Sequence, residues 1–450
     1  KLFDEIFGEK NFVSQLVWEK KKKGAFLSKS VTNVKEYVIC YAKNISKFRG
    51  LIGEIAKGEE TYPVIKTTNT RGQRLIRKGI PSKFRENNHV VKAGARISSG
   101  NMEMILLDDL IIKNGALAED VRVDSNWIYS QELLDKYSAD RSLYVTQDLY
   151  FRRVVSDPRQ KMLKDLLPMR GESATGFDFI YSDDLFSDGW GTNEDGFDEL
   201  HHLLGAQSLM SFPKPSKLIA KLILAACRFD KECVVMDFFA GASTTAHSLL
   251  SLNAQDGGNR KFIMAQLPEP CDEQSEAFKA GYKTIAEISK ERIRRAGKKV
   301  LEGECHEGWN KDVGFRVLKV DTSNMQDVYY QPDKTNQVDL LSAVDNVKSD
   351  RTPEDLLFHV LVDWAVHDGL TAPIRRETIQ GKTVFFVNEE PYDLIACFDS
   401  GVTEDLVKEL AGYKTLRVVF RDNGFVSDAV KINVEQIFRQ LSPTADVKSI

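Results

Sequence analysis

The stretch Asp237-Phe238-Phe239-Ala240-Gly241-Ala242-Ser243-Thr244-Thr245 predicts the class of fold to which this chain belongs. The apolar run Cys233–Ala240 has the length and composition of a buried parallel strand. The run breaks at Gly241, and a helix-like segment begins at Thr244-Thr245. A strand, a tight turn of small residues and a helix N-terminus form an α/β unit in which a nucleotide-like ligand can approach backbone N–H groups. The same pattern also occurs in α/β proteins whose turn binds no ligand.

Helices and strands alternate regularly on both sides of this turn. Leu218–Cys227 has a helical pattern, and a helix at 244–252 is followed by a strand at Lys261–Leu267. Gln274–Lys299 is predicted to be one long, charged, amphipathic helix that covers the sheet. The charged residues predicted to lie on its solvated face are Glu291, Arg292, Arg294 and Arg295.

A second α/β pattern begins after Val313. Thr352-Pro353-Glu354-Asp355 combines an N-cap residue, a proline at the first helical position and early acids, and predicts a helix that runs to about Val366. Strands at Thr383–Val387 and Leu394–Phe398 follow. The remaining predicted elements are a helix at Glu404–Leu410, a strand at Leu416–Phe420 and a helix at Ser427–Leu441. Together they predict a compact α/β domain.

Composition excludes several classes of protein. The net charge of -4 argues against a uniformly basic nucleic-acid-binding protein, although it allows local basic patches. The six cysteines include no Cys-x-x-Cys pair, which argues against a disulfide framework or a zinc site and favours a reducing, cytoplasmic setting. No apolar stretch approaches the length of a membrane span.

The histidines do not predict a metal site. His201, His202 and His247 lie on or beside predicted helices, without a cysteine or carboxylate at ligand spacing. The turn also differs from a nicotinamide dinucleotide site, which requires G-x-G-x-x-G and an acid about 20 residues later. Here the turn reads Gly241-Ala242-Ser243, and the next strand ends near Gln266, which lacks a carboxylate.

Three segments, taken together, resemble one family. They are Phe212-Pro213-Lys214-Pro215-Ser216-Lys217-Leu218-Ile219, the turn Asp237–Thr245, and Asn259-Arg260-Lys261-Phe262-Ile263-Met264-Ala265-Gln266-Leu267-Pro268-Glu269-Pro270. In this order they resemble the modification subunit of type III restriction–modification systems, an S-adenosylmethionine-dependent adenine-N6 DNA methyltransferase of the β arrangement. In that arrangement the catalytic motif precedes the cofactor motifs. The resemblance covers essentially the whole chain.

The resemblance implies a Rossmann-like α/β methyltransferase fold, incomplete at the N-terminus, that binds S-adenosylmethionine. Carried over by position, the cofactor pocket consists of Phe212, Lys214, Pro215, Asp237, Phe239, Gly241, Ser243, Thr244 and Gln266. The family usually has glycine where this chain has Ser243. A side chain at that position would crowd the cofactor or require a strained backbone.

A larger departure is that the family's catalytic Asp-Pro-Pro-Tyr does not occur in the 450 residues. In the family, the Asp side chain and a Pro carbonyl accept hydrogen bonds from the adenine amine, and the Tyr stacks on the flipped base. No catalytic residue is therefore assigned in this chain. The sequence begins at Lys1, inside a predicted helix. We therefore expect an N-terminally truncated methyltransferase, and no methyl transfer by this chain alone.

The resemblance also implies a domain layout and a set of partners. The expected domains are 1–45, the end of the catalytic half of the core; 46–165, the target-recognition region; 166–305, the cofactor half; and 306–450, a smaller C-terminal α/β domain that is a candidate for dimerisation. The expected partners are double-stranded DNA, a second modification subunit in a homodimer, and a restriction helicase–nuclease subunit.

Basic residues in two regions are candidates for contacts with DNA phosphates. They are Lys20, Lys21, Lys22 and Lys23 after the first strand, and Arg71, Arg74, Arg77, Lys78, Lys83 and Arg85 in the target-recognition region. Phosphate contacts would make DNA binding strongly salt-dependent. A charge run is also typical of a solvated loop, so this alternative stays open.

Two other functions remain as hypotheses. The chain would be a non-catalytic DNA-binding or assembly subunit if its missing segment had been lost. It would be one half of a split methyltransferase if a separate chain supplied that segment. An NAD-dependent oxidoreductase is disfavoured by the spacing of the turn and by Gln266.

Overall fold

The computed structural model describes residues 1–21, 30–169, 181–205, 209–326, 347–364, 366 and 369–450. These residues form a mixed α/β protein that divides into two compact units, Lys1–Gly314 and Phe315–Ile450. None of the helices in the described ranges is both long enough and apolar enough to cross a bilayer.

The N-terminal unit begins with a short helix and an antiparallel strand pair. These are α1 (Leu2–Phe7), β1 (Phe12–Glu19) and β2 (Lys35–Tyr41). Alternation along β1 places Leu16 and Trp18 on one buried face. The Trp18 indole N–H donates to the carbonyl oxygen of Gly191 at 2.9 Å, which ties β1 to a segment far along the chain.

A β-rich region with its own hydrophobic core follows. Its elements are β3 (Ile52–Ala56), β4 (Glu60–Pro63), β5 (Arg71–Ile76), β6 (His89–Val91), β7 (Arg96–Ser99), β8 (Met102–Leu106), β9 (Leu110–Lys113), β10 (Ala116–Leu117), β11 (Val121–Asn126), α2 (Gln131–Ala139), β12 (Leu143–Val145), β13 (Phe151–Val155) and β14 (Arg159–Met162). The largest sheet has the order β5-β11-β8-β7, and all of its pairings are antiparallel. Apolar side chains from β5 to β13 and from α2 pack into one cluster around Val123 and Leu134.

The chain then returns to helices and parallel strands. The elements are β15 (Leu166–Leu167), α3 (Asn193–Leu204), α4 (Ser216–Cys227), β16 (Val234–Asp237), α5 (Thr244–Asp256), β17 (Lys261–Met264), α6 (Glu276–Lys279) and α7 (Ile285–Glu302). β15 extends the β1–β2 sheet by a parallel pairing with β1, while β16 and β17 pair in parallel with each other. Leu16, Leu224 and Leu249 belong to one core cluster, so the β1 sheet and helices α4 and α5 share this core.

Two predicted elements differ from the structure in this region. The strand predicted at Cys233–Ala240 ends at Asp237, because the Asp237 carboxylate accepts a hydrogen bond from the Phe239 N–H and the turn begins there. The single helix predicted at Gln274–Lys299 is two helices, α6 and α7. The helical conformation is interrupted at Gly281, because its φ of 95° is incompatible with an α-helix. The second helix, α7, begins after its N-cap residue Thr284.

One face of β16 carries exposed apolar side chains. Val234, Met236 and the following Phe238 are all exposed, whereas Val235 on the opposite face packs against the shared core. On β2, Tyr37 and Ile39 are likewise exposed. Each of these two strands therefore has large apolar side chains exposed at alternate positions.

The C-terminal unit is a five-stranded sheet between helices. Its elements are α8 (Pro353–Asp363), β18 (Ile374–Ile379), β19 (Lys382–Val387), β20 (Leu394–Cys397), α9 (Glu404–Ala411), β21 (Arg417–Phe420), α10 (Asp428–Leu441) and β22 (Asp446–Ser449). The strand order is β18-β19-β20-β21-β22, with parallel pairing from β20 onward. Phe386 packs in the cluster that contains residues of α9 and α10, and its neighbour Phe385 packs in the cluster that contains residues of α8. Both faces of the sheet are therefore buried.

Candidate functional site

The turn between β16 and α5 is organised by the Asp237 side chain. One carboxylate oxygen accepts from the Phe239 N–H at 3.2 Å, and the other accepts from the Thr245 hydroxyl at 2.7 Å. The carboxylate thus connects the end of the strand to the first turn of the helix. A carboxylate has about four lone-pair directions, so Asp237 keeps acceptor capacity for a ligand.

The backbone of this turn is left-handed at two residues. Gly241 has a φ of 52° and Ser243 has a φ of 56°. Glycine adopts this conformation freely, but a residue with a Cβ pays about 1 kcal/mol or more for it. Ser243 is only 1% exposed, and its hydroxyl oxygen has no hydrogen-bond partner. Of the two consequences expected from a side chain at this position, the structure shows the strained backbone.

The structure brings the three motif segments together at this turn. The Thr244 hydroxyl donates to the carbonyl oxygen of Lys214 at 3.2 Å. The Gly241 N–H donates to the side-chain oxygen of Gln266 at 2.7 Å. Pro215 is buried at the N-cap of α4, directly after Lys214. Segments more than 20 residues apart in sequence therefore meet at one end of β16.

Gln266 has a contact that the sequence did not predict. The expectation was a position near a ribose, and that assignment stays a prediction. In the structure its amide oxygen binds the turn, and its amide nitrogen donates to the Leu267 carbonyl oxygen at 3.3 Å. The side chain therefore has a direct role in shaping the loop.

Two aromatic rings of the motif segments are open to solvent. Phe239 is 79% exposed and Phe212 is 75% exposed, although both are large apolar side chains. An exposed ring next to an acceptor carboxylate suits a ligand that carries both a heteroaromatic base and cationic or hydroxyl groups. S-adenosylmethionine has both, so the residues present fit this cofactor.

Glu36 on β2 joins the segment of Lys214 to the basic residues after β1. Its two carboxylate oxygens accept from Lys214 Nζ at 2.6 Å and from Lys20 Nζ at 3.0 Å. Burial raises the pKa of the Glu36 carboxyl, but its hydrogen bonds to these two lysines outweigh burial and lower that pKa overall. Glu36 could not be predicted from the sequence, because its partners lie in distant segments.

A buried ionic cluster lies behind the turn, among α3, α5 and α7. The Arg292 guanidinium contacts the Glu199 carboxylate at 2.5 Å, and His247 Nδ1 lies 2.9 Å from the same carboxylate oxygen. Arg292 is 0% exposed, and Glu199 and His247 are also buried. Burial by itself raises the pKa of Glu199, but the hydrogen bond and charge of His247 and the charge of Arg292 together lower it to about 2.

This cluster corrects two interpretations of the sequence. Arg292 does not lie on a solvated face, and His247 does have a carboxylate partner. The burial of Arg292 could have been predicted from the sequence, because Arg292 lies four residues from both Ile288 and Ala296, on the apolar stripe of α7. The carboxylate partner of His247 could not have been predicted, because Glu199 lies on another helix.

The predicted DNA-contact residues have varied surroundings. Arg71 pairs with Asp124 at 2.9 Å, and Arg77 pairs with Asp135 at 2.8 Å, so acidic neighbours share both charges. Arg85 is 84% exposed, and its nearest acid is 3.7 Å away. The other described candidates have the following contacts: Arg74 donates to the Gln73 carbonyl oxygen, the Lys78 backbone N–H donates to Asp120, and the Lys83 ammonium lies over the Tyr144 ring. Lys21 is described, whereas Lys22 and Lys23 lie outside the described residues.

Comparisons with known proteins agree on one family. A family model described as DNA methylase matches residues 1–299. The chain is 31% identical over 326 residues to the Mod subunit of the type III restriction-modification enzyme StyLTI from Salmonella typhimurium, covering 72% of this chain and 44% of that protein. It is 28% identical over 433 residues to the EcoPI Mod subunit of Escherichia phage P1, covering 91% and 60%. It is 26% identical over 457 residues to the EcoP15I Mod subunit of Escherichia coli, covering 94% and 63%.

The aligned regions cover a larger share of this chain than of each relative. The matched region spans between 44% and 63% of the length of the three relatives. For EcoPI and EcoP15I it includes more than nine tenths of this chain. The similarity therefore extends beyond the turn to both units of the protein.

Proposed function

The chain belongs to the DNA methylase family, and on that premise we propose that it is the cofactor-binding and DNA-recognising part of a site-specific adenine-N6 DNA methyltransferase. We further assign it to the modification subunit of a type III restriction–modification system, because relatives with that name match over most of its length. The observation that carries this assignment is the meeting of three motif segments, at Lys214, Gly241 and Gln266.

S-adenosylmethionine, when bound, supplies the electrophilic methyl group. Asp237 would accept hydrogen bonds from the polar groups of the cofactor, since its carboxylate has unused lone pairs. Phe239, whose ring is exposed, would contact the adenine base, and Gln266 would lie near the ribose. The other residues that we assign to the pocket are Phe212, Lys214, Pro215, Gly241, Ser243 and Thr244.

The arrangement around β16 supports a Rossmann-like core. β16 and β17 are parallel, and α5 is the crossover between them, so the turn lies at the carboxyl end of a strand, where open α/β sheets bind ligands. We propose that residues 1–45 are the end of the catalytic half of the core and that residues 46–165 are the target-recognition region. Residues 166–305 would be the cofactor-binding half, and residues 306–450 the C-terminal domain. The separate hydrophobic core of the β-rich region supports its assignment as a recognition module.

The residues that would prepare the adenine are not in this sequence. The lone pair of the adenine amine is delocalised into the ring, so methylation needs acceptors that orient the amine and a ring that stacks on the flipped base. The Asp-Pro-Pro-Tyr motif that does this in the family does not occur in the 450 residues. We propose that this polypeptide binds the methyl donor and DNA but does not transfer methyl groups by itself.

We propose double-stranded DNA, a second modification subunit and a restriction helicase–nuclease subunit as partners. Arg85 is the strongest candidate for a phosphate contact, because it is highly exposed and its nearest acid lies at the edge of ion-pair distance. Arg71 and Arg77 would have to exchange acidic partners for phosphates.

Calorimetric titration of the purified chain with S-adenosylmethionine, and separately with NAD, tests the proposed cofactor. We expect S-adenosylmethionine to bind and NAD not to bind. Phe239→Ala should weaken binding by about 5-fold, the value of an aromatic stacking contact of about 1 kcal/mol. Phe229→Ala is the matched control, since Phe229 is also exposed but lies outside the site. Binding of NAD alone would contradict the proposed function.

A second candidate function is one half of a two-chain methyltransferase. The observation that favours it is the exposure of large apolar side chains on two strands, at Val234, Met236 and Phe238 and at Tyr37 and Ile39, which another polypeptide would cover. The test is incorporation of labelled methyl groups into DNA by this chain, alone and mixed with a polypeptide that carries Asp-Pro-Pro-Tyr. Activity only in the mixture supports the two-chain enzyme, and robust activity of the chain alone contradicts both proposals.

A further inference from the structure

Two side chains on one face of α7 contact the turn that follows β16. The Ser289 hydroxyl donates to the Gly241 carbonyl oxygen, and Arg292 Nη1 donates to the Thr244 hydroxyl at 2.8 Å. Ser289 and Arg292 are three residues apart, so they project from the same side of the helix. They bind the turn at its beginning and at its end, on either side of the left-handed Ser243.

Arg292 is itself fixed by two other helices. Its second terminal nitrogen contacts Glu199 on α3, and Glu199 also contacts His247 on α5. The other oxygen of the Glu199 carboxylate accepts from the backbone N–H of Ser216 at 2.9 Å and from its hydroxyl at 2.8 Å. Each buried charge therefore has several partners, and removing one partner is far more costly than removing an exposed ion pair. The guanidinium thus has a defined position from which to bind Thr244.

We propose that Ser289 and Arg292 are positioning residues that set the turn in the conformation that binds the methyl donor. This inference rests on the function proposed above. Left-handed conformations at residues with a Cβ persist only where the surroundings determine them, and these two hydrogen bonds supply that determination. A turn that is already in its binding conformation loses less freedom when a ligand binds, so its affinity is higher. Neither side chain needs to touch the cofactor for this effect.

The first test removes one hydroxyl from the full chain. Ser289→Ala should weaken binding of S-adenosylmethionine by about 5-fold, the value of one ordinary hydrogen bond. Ser138→Ala is the matched control: Ser138 is also a buried helical serine, whose hydroxyl donates to the Leu134 carbonyl oxygen at 2.8 Å in α2. The Ser138→Ala variant should bind S-adenosylmethionine with the affinity of the wild type. Urea unfolding of both variants measures how much stability each hydroxyl contributes.

The second test asks whether Arg292 acts through Thr244. Arg292→Lys keeps the positive charge beside Glu199, and Thr244→Val removes the hydroxyl that Arg292 binds. Each substitution should weaken binding of S-adenosylmethionine severalfold. In the double variant the two losses should be clearly less than additive, because the second change removes a hydrogen bond that is already lost. A role confined to overall stability would instead leave the affinity of each folded variant unchanged.

The outcomes separate the two proposals. If the wild-type chain does not bind S-adenosylmethionine, the proposed function falls, and the positioning role falls with it. If the wild type binds but Ser289→Ala binds equally well, or Ser138→Ala loses as much affinity, only the positioning role is overturned. Additive losses in the Arg292 and Thr244 variants would overturn it as well.

Discussion

Ser243 adopts a backbone conformation that its own side chain opposes. Its φ of 56° is left-handed, and its buried hydroxyl has no hydrogen-bond partner. Both features cost free energy: the conformation about 1 kcal/mol, and the unsatisfied hydroxyl about as much. This residue therefore lowers the stability of the folded chain at the place where we propose that the cofactor binds.

Replacing Ser243 with glycine should stabilise the protein. Ser243→Gly removes the conformational strain and the unsatisfied hydroxyl, and the added freedom of glycine in the unfolded chain offsets part of the gain. We expect the free energy of unfolding to rise by about 1 kcal/mol, measured by urea denaturation. Ala242→Gly is the matched control, because Ala242 is buried beside it without a positive φ and should lower stability instead. Equal losses in both variants would show that Ser243 stores no strain.

Glu199 makes the stability of the N-terminal unit depend on pH. The pKa of its carboxyl is about 2 in the folded protein, compared with the ordinary value of 4.5 for a glutamate. A carboxyl with a lowered folded-state pKa contributes stability that is fully present above pH 4.5 and is lost as the pH falls toward 2. At 1.36 kcal/mol per pKa unit the loss is on the order of 3 kcal/mol.

The variant Glu199→Gln tests this dependence. It should be less stable than the wild type at pH 6, because Arg292 loses its buried counter-charge, and its stability should change less between pH 5 and pH 3. Unfolding free energies measured across this range give both results. Glu304→Gln, at an exposed position, should keep the pH dependence of the wild type. If the unfolding free energy of Glu199→Gln changed with pH as steeply as that of the wild type, the pH dependence would come from other carboxyls.

Among the individual residues, those of the turn itself were predicted from the sequence, but those that stabilise it were not. Asp237 and Gly241 are visible because strand, glycine and helix follow one another within nine residues. Arg292 and Glu36 bind the turn or its neighbours from segments far away in the chain, and no local pattern records such pairings. The packing of helices and strands creates these contacts, so they emerge only from the tertiary structure.

Among the elements, α3 and the segment Phe212–Pro215 are packed so closely that only glycine fits between them. A Cβ added to Gly196 would lie 2.3 Å from the carbonyl oxygen of Pro213 and 2.8 Å from the backbone nitrogen of Pro215. Both neighbours are backbone atoms, which cannot rotate away as a flexible side chain can. The close approach places Lys214 beside the turn, where its carbonyl oxygen accepts from Thr244.

Gly196→Ala should therefore displace the Lys214 segment. We expect a loss of about 3 kcal/mol in the free energy of unfolding, at the upper end for overpacking, together with weaker binding of S-adenosylmethionine. Urea denaturation and calorimetric titration measure the two effects. Gly303→Ala is the matched control, because a Cβ there meets only the Val300 carbonyl oxygen at 3.6 Å. If both variants have the same stability, the packing of α3 against this segment is looser than the distances indicate.

Elements with strong local signals were predicted well, and those without such signals were not. The start of α8 was predicted because Thr352, Pro353 and Asp355 form a capping box with proline at the first position, as the structure shows. The region 274–299 was predicted as one helix because helix-forming residues continue through it. Its break at Gly281 depends on a positive φ, which the composition of the segment does not reveal.

For the whole molecule, the two units differ in how completely they bury their sheets. In the C-terminal unit, Phe385 and Phe386 are neighbours on β19, and each is buried in a separate cluster on its own side of the sheet. In the N-terminal unit, β16 buries Val235 partly but exposes Met236. Of these two sheets, as the described residues show them, the C-terminal one has apolar cores on both faces, and a domain with its own core can fold alone.

Residues 315–450 should consequently fold without the rest of the chain. The isolated polypeptide should unfold in urea in one cooperative transition and give a dispersed amide NMR spectrum, because both cores of its sheet are made from its own side chains. Phe386→Ala should lower its free energy of unfolding by about 3–4 kcal/mol, as expected for a fully buried phenylalanine. Leu416→Ala, at an exposed position in the same unit, is the control and should change stability by less than about 0.5 kcal/mol. A non-cooperative transition of the wild-type fragment would show that this unit depends on residues 1–314 for its stability.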